Sequence, residues 1–130
     1  MRARVSGDDG AATTVLVLVM PVVLLLLMTV VQVALAYHAR QVLIAAAQDA
    51  ALAGSAAHAG PDDATTTAQR AIDDAASGLV HDVRIDTTTV DGRLRVEVEG
   101  TVANVIPGVT FTVSGRGESP TERFDPQAAP

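Results

Sequence analysis

The chain has 130 residues, of which 48% are hydrophobic and only 2% aromatic, so it has room for one small domain and an apolar appendage. Its formal net charge is −6 and its nine cationic residues, all arginine, are scattered, which argues against nucleic acid as a partner because phosphate binding requires clustered positive charge. The absence of cysteine excludes a disulfide framework, a thiolate nucleophile and a Cys-based metal site.

The first predicted element is a membrane-spanning helix at residues 11–37. No charged side chain occurs between Asp9 and Arg40. As a helix, the stretch from Gly10 to Tyr37 would be about 42 Å long, which exceeds the roughly 30 Å of a bilayer core. Pro21 removes a backbone hydrogen bond and is expected to kink this helix, as membrane helices tolerate.

The arginines around this helix predict its orientation. Arg2 and Arg4 precede the apolar run and Arg40 follows it, so the positive charge is greater on the N-terminal side. By the positive-inside rule the chain is expected to be a single-pass protein of the cell membrane, with a cytoplasmic N-terminus and an extracytoplasmic C-terminal domain.

A cleaved export signal is the alternative interpretation of the same run. The sequence Ala34-Leu35-Ala36 has the small-x-small pattern of a signal-peptidase site, and cleavage there would leave Tyr37 as the first residue. The product would be a secreted extracytoplasmic binding domain, and without cleavage the domain would be singly anchored. The apolar run is longer than an ordinary signal sequence, which favours the anchor.

The helical pattern continues beyond the membrane at residues 38–59. Small residues and one leucine recur there at three- or four-residue spacing, and a face of this kind allows another helix to approach closely. The predicted helix-packing face consists of Ala36, Ala39, Leu43, Ala47, Ala50 and Gly54.

A small head is predicted at residues 60–115, beginning with a short amphipathic helix. Gly60-Pro61 interrupts the first helix, Asp62 or Asp63 is placed to cap the next, and Gly78 is placed to end it. The apolar face of this second helix is predicted to comprise Ala64, Ala68, Ala71, Ile72, Ala75 and Leu79.

Three antiparallel strands are predicted to follow, which makes the fold class α+β. Asp91-Gly92 is a preferred pair for a two-residue hairpin turn, and counting outward from it pairs Thr89 with Leu94, Thr87 with Val96, and Ile85 with Val98. On the opposite face Asp86 meets Glu97, a repulsion that Arg95 is expected to relieve. Val109, Phe111 and Val113 predict a third strand, with Phe111 as the only large ring in the core, and the tail at 116–130 reads as flexible.

The histidines and acidic residues of the chain do not predict catalysis. His38, His58 and His81 are isolated, and no cysteine or paired carboxylate completes a metal or nucleophile set with them. The doublets Asp62-Asp63 and Asp73-Asp74 lie three helical turns apart, too far for one ion to bridge. The chain is therefore expected to be a non-enzyme without cofactor or metal.

The order of these parts resembles that of the TadE-like proteins of actinobacteria, minor pseudopilins of tight-adherence type IV pilus systems. The resemblance depends on GDDGAATTVLVLVMPVVLLLL, the helix AYHARQVLIAAAQDAALAG, the β-hairpin, the Pro-Gly turn before VTFTVSG, and the closing TERFDP. It covers nearly the whole chain, although each motif by itself is loose.

The resemblance implies a leader at residues 1–10 that a prepilin peptidase cuts between Gly10 and Ala11 on the cytoplasmic side. It also implies the membrane and other pilus-assembly subunits as partners, the latter bound through helix packing. Pilin-like families commonly carry Glu at the fifth mature position, where this chain has Val15. That departure favours an assembly factor or initiator over an abundant filament subunit.

Overall fold

The computed structural model describes residues 8–121 and confirms the α+β class. Its elements are α1 (Asp8–Ser55), α2 (Pro61–Ala76), β1 (Val80–Val90), β2 (Arg93–Val102) and β3 (Phe111–Pro120). Arg2, Arg4 and most of the TERFDP segment lie outside the described residues.

Helix α1 is one uninterrupted element of 48 residues that includes both the predicted membrane segment and the predicted projecting helix. It contains Pro21 and begins at Asp8, so the last three residues of the implied leader, Asp8 to Gly10, are helical. No proline separates Asp8 from the apolar run, and a helix extends readily once it is nucleated.

Helix α2 is capped at both ends as the sequence predicts. The Gly60 N–H donates to Asp63 Oδ2 at 2.9 Å, and the Asp63 N–H donates to the Gly60 carbonyl at 3.1 Å. Pro61 occupies the first helical position, and Gly78 follows the helix with φ +78°.

The apolar face of α2 differs from its prediction at its C-terminal end, where Ala75 is exposed, Ala76 is buried in its place, and Leu79 lies beyond the helix. The buried residues form a row with strict four-residue spacing. Residues four apart lie on neighbouring turns of one side of a helix, and this side of α2 belongs to the core that it shares with α1. The row consists of Ala64, Ala68, Ile72 and Ala76.

The three strands form an antiparallel sheet in the order β1-β2-β3. All the predicted hairpin pairs are observed, from Val90 opposite Arg93 to Ile85 opposite Val98. Asp91 and Gly92 have φ angles of +52° and +72°, the two positive values that a type I′ turn requires.

Strand β3 is the main correction to the predicted fold. It runs as far as Pro120, so residues 116–120 of the predicted flexible tail are a paired strand. The ring of Phe111 is 37% exposed, and the buried positions of the strand are Gly115, Gly117 and Ser119. Small side chains are required there because a β-carbon on Gly115 or Gly117 would overlap the α1 backbone.

The second half of α1 supplies much of the core of the head. The valines of β2 face it and are fully buried, as is Leu43 on the helix. A head of this size needs such borrowed surface, because a small domain buries too little of its own. The helix residues in the core are Ala39, Leu43, Ala46, Ala47, Ala50 and Ala51.

The outer face of the sheet carries ion pairs that differ from the predicted ones. Arg116 Nη2 lies 3.2 Å from Glu97 Oε2, so the partner that offsets the charge of Glu97 comes from β3. Arg95 instead pairs with Glu118 through its Nε at 2.5 Å. Each exposed pair contributes little, about 0.2–1 kcal/mol, yet both join β2 to β3 in the observed register.

The close contact of β3 with α1 predicts that Gly117→Ala destabilises the head by about 2–3 kcal/mol, because the added methyl group has no space against the helix backbone. The measurement is the urea dependence of proteolysis of the head in full-length protein in detergent. Ser114→Thr is the matched control, because it adds a methyl group to the exposed face of the same strand and is expected to change stability by less than about 0.5 kcal/mol. Equal stability of the two variants would contradict the direct packing of β3 against the backbone of α1.

Candidate membrane-anchoring and packing surface

The N-terminal half of α1 is a long apolar surface that the fold leaves uncovered. Every side chain at residues 10–31 is exposed, and one helix within residues 8–121 is long and apolar enough to cross a membrane. An all-round apolar helix of this kind is stable in hydrocarbon, where each of its backbone groups is satisfied within the helix. The segment therefore has the length and composition of a single-pass anchor.

Hydroxyl groups within this surface are satisfied by the helix itself. Thr14 Oγ1 donates to the Gly10 carbonyl at 2.9 Å, and Thr29 Oγ1 donates to the Leu25 carbonyl at 2.8 Å. These bonds remove the cost of placing a hydroxyl in an apolar environment. The two threonines are therefore compatible with lipid on all sides of the helix.

The predicted cleavage residues lie at the start of this surface. Gly10 and Ala11 are exposed within the first turns of α1. A β-carbon built on Gly10 would meet no atom within 4 Å, so the fold itself places no demand for glycine there. Within residues 8–121, no contact therefore accounts for a glycine at this position.

The predicted helix-packing face lies against the chain's own head. Ala39, Leu43, Ala47 and Ala50 are fully buried, and Ala36 is partly buried. Gly54 approaches α2 and the hairpin so closely that a β-carbon would overlap Ala64 and Leu94. The face thus allows close packing, as its small residues predict, and its neighbours in this structure are the sheet and α2.

The candidate signal-peptidase site Ala34-Leu35-Ala36 lies within the uninterrupted α1. Leu35 and Ala36 are partly buried and pack against the core of the head. Cleavage after Ala36 would separate these residues from the core and remove Gln32, which binds the head directly.

Gln32 joins the apolar helix to the head. Its Nε2 donates to the Ala103 carbonyl at 3.2 Å, and its Oε1 accepts from the Val105 N–H at 2.6 Å. The side chain is 1% exposed, although it lies within the predicted membrane segment 11–37. The head therefore extends along the final residues of that segment.

The sequence analysis missed the contact of Gln32, although a signal for it was present. Gln32 is the only amide side chain between Gly10 and Tyr37. A buried polar group in an apolar stretch requires a hydrogen-bonding partner, so its presence indicates a contact at that depth. Its partner was not predictable because the backbone of a loop carries no sequence signature.

The histidines and aspartate doublets do not converge on a site. His38, His58 and His81 are all exposed, and among residues 8–121 no group of three or more His, Cys, Asp or Glu is placed to hold a metal ion. Asp63 caps α2, and Asp73 Oδ1 accepts a hydrogen bond from Gln69 Nε2 at 3.0 Å. These carboxylates have structural partners on their own helix.

Comparison with protein families identifies the helical part of the chain. The model described as "TadE-like protein" matches residues 10–52, from the predicted cleavage glycine almost to the end of α1. Residues 10–52 are similar to the TadE-like family. The resemblance derived from the sequence is confirmed over this TadE-like segment, whereas α2 and the sheet lie outside it. No curated protein and no solved structure matches the chain significantly.

The contact of Gln32 predicts that Gln32→Leu opens the loop after β2. The substitution leaves the Val105 N–H without its acceptor, at a cost of about 1–3 kcal/mol. Hydrogen exchange of the segment containing Val105, measured on full-length protein in detergent, is expected to be at least about tenfold faster. Gln48→Leu on the exposed side of the same helix is the control and should leave this exchange unchanged. Equal rates in the two variants would show that Gln32 does not hold the loop.

Proposed function

We propose that the chain is a membrane-anchored, pseudopilin-like subunit that takes part in the assembly of a tight-adherence type IV pilus. One observation carries this proposal: the TadE-like match begins at Gly10, the residue where the exposed apolar part of α1 also begins. The match thus covers the whole uncovered run at residues 10–31 and continues into the half of α1 that packs against the head.

The two halves of α1 have different roles in this proposal. The second half is occupied by the head, so its small-residue face is not free for a partner helix. The first half is exposed all round, and it is the surface through which other pilus-assembly subunits would pack in the membrane. The head then provides an extracytoplasmic surface, with the N-terminus in the cytoplasm.

Leader removal by a prepilin peptidase is part of the same proposal. Support comes from Gly10, which no contact among residues 8–121 explains and which precedes Ala11 in an exposed part of the helix. A cytoplasmic peptidase would reach this bond at the membrane surface. The role proposed for the chain itself is structural and non-catalytic.

Gly10→Val is expected to abolish processing, because a branched side chain next to the scissile bond keeps the peptidase from approaching it. The measurement is N-terminal sequencing of the protein purified from its own membranes, where the native chain should begin at Ala11. Ala12→Val adds similar bulk two residues further on and should still be processed. A native chain that begins at Met1 or at Tyr37 would contradict the proposal, and Tyr37 would support a secreted domain.

Val15→Glu is expected to increase incorporation into filaments and to leave processing unchanged. After cleavage the amine of Ala11 has no carboxylate at the fifth mature position, and an unpaired charge in an apolar phase costs several kcal/mol. Purified pili would be compared by immunoblotting, with Val15→Gln as the uncharged control of matched size. Native protein already abundant along the pili would contradict a role as a minor assembly factor.

A further inference from the structure

The loop between β2 and β3 is apolar and uncharged. No charged residue occurs between Glu99 and Arg116, although charged side chains cover the outer face of the sheet on either side of this stretch. Val105 and Val109 are each 38% exposed, and Phe111 at the start of β3 is 37% exposed. We call the segment Ala103–Phe111 the apolar loop.

The course of β3 along α1 places the apolar loop at one end of the head. Gly115 lies against Leu43, Gly117 lies against Ala47, and Ser119 receives a hydrogen bond of 2.8 Å from Ser55. Successive strand positions therefore approach the C-terminal end of the helix. The apolar loop precedes these positions and lies at the opposite end, towards the N-terminal half of α1.

Gln32 fixes the level of the apolar loop along the helix. Its amide group binds both Ala103 and Val105, so this end of the loop is held beside residue 32. The exposed run from Gly10 to Val31 is about 33 Å long as a helix, close to the thickness of a bilayer core of about 30 Å. A helix that spans the bilayer with this run has Gln32 at the membrane surface.

Two further features fit the membrane surface as well. Tyr37 is 67% exposed and lies about 7.5 Å beyond Gln32 along the helix, at the depth where the amphipathic rings of Tyr and Trp are enriched. The loop carries Asn104 and Thr110 between its apolar residues, so it can contact headgroups and acyl chains together.

We propose that the apolar loop inserts into the headgroup and acyl-chain boundary of the bilayer that α1 crosses. The partner is the lipid itself, which buries Val105, Val109 and Phe111 next to the helix. This inference depends on the membrane anchoring in the proposed function. It adds a second membrane contact, from the head, to that of the helix.

The test uses full-length protein in liposomes that contain lipids with a nitroxide quencher at a shallow or a deep acyl position. The chain has no cysteine, so a single cysteine can be placed and labelled with an environment-sensitive fluorophore. A label at Val109 is expected to be quenched about twofold more by the shallow than by the deep lipid. A second label at Val105 is also expected to be quenched more by the shallow than by the deep lipid. Agreement between the two labels shows that neither substitution has disturbed the loop.

Two further positions separate failure of this inference from failure of anchoring. A label at Leu24 is expected to be quenched more by the deep lipid, and a label at Thr66, on the exposed surface of α2, by neither. Loss of quenching at Leu24 would overturn membrane anchoring itself. Quenching at Leu24 without quenching at Val105 and Val109 would overturn the loop proposal alone, and blue-shifted emission in that case would indicate a protein occupant.

Discussion

Strand β3 lies directly on the backbone of α1, with Gly115 and Gly117 at the points of closest approach. This contact brings the valines of β2 onto the helix and leaves the charged residues of both strands facing water. A three-stranded sheet of this size has too little apolar area to be stable by itself. The head is therefore folded around the helix that also carries the apolar anchor.

The sequence predicts the hairpin and the first part of β3, but it misses the second part of β3 for one physical reason. In the hairpin, hydrophobic alternation and the turn residues Asp91-Gly92 point to the same register, which leaves one solution. In β3, too, every second residue faces inward. In the second part of the strand, however, these inward residues are Gly115, Gly117 and Ser119, which are distinguished from their neighbours by small size and not by hydrophobicity. Glycine and serine usually mark turns and loops, so this signal is interpretable only when the helix backbone beneath it is known.

The candidate surface was predicted in part. The length and apolarity of residues 11–37 and the small size of the helix-packing residues follow from composition and spacing alone. Small residues, however, permit close approach without specifying the neighbour, and here the neighbours are the chain's own strands and second helix. Gln32 shows a second limit of prediction from sequence. A single amide in an apolar run predicts a hydrogen-bonded contact at a known position along the helix, but it does not identify the partner.

The continuity of α1 has a mechanical consequence. The apolar N-terminal half of α1 and the half that packs against the head form one helix with no loop between them. A rotation of the N-terminal half about the helix axis therefore turns the head through the same angle. Pro21, where a missing hydrogen bond softens the helix, lies well before Gln32 and the first residues that contact the head. Bending is therefore concentrated in the apolar N-terminal half of α1, and the head moves together with the part of the helix that follows Pro21.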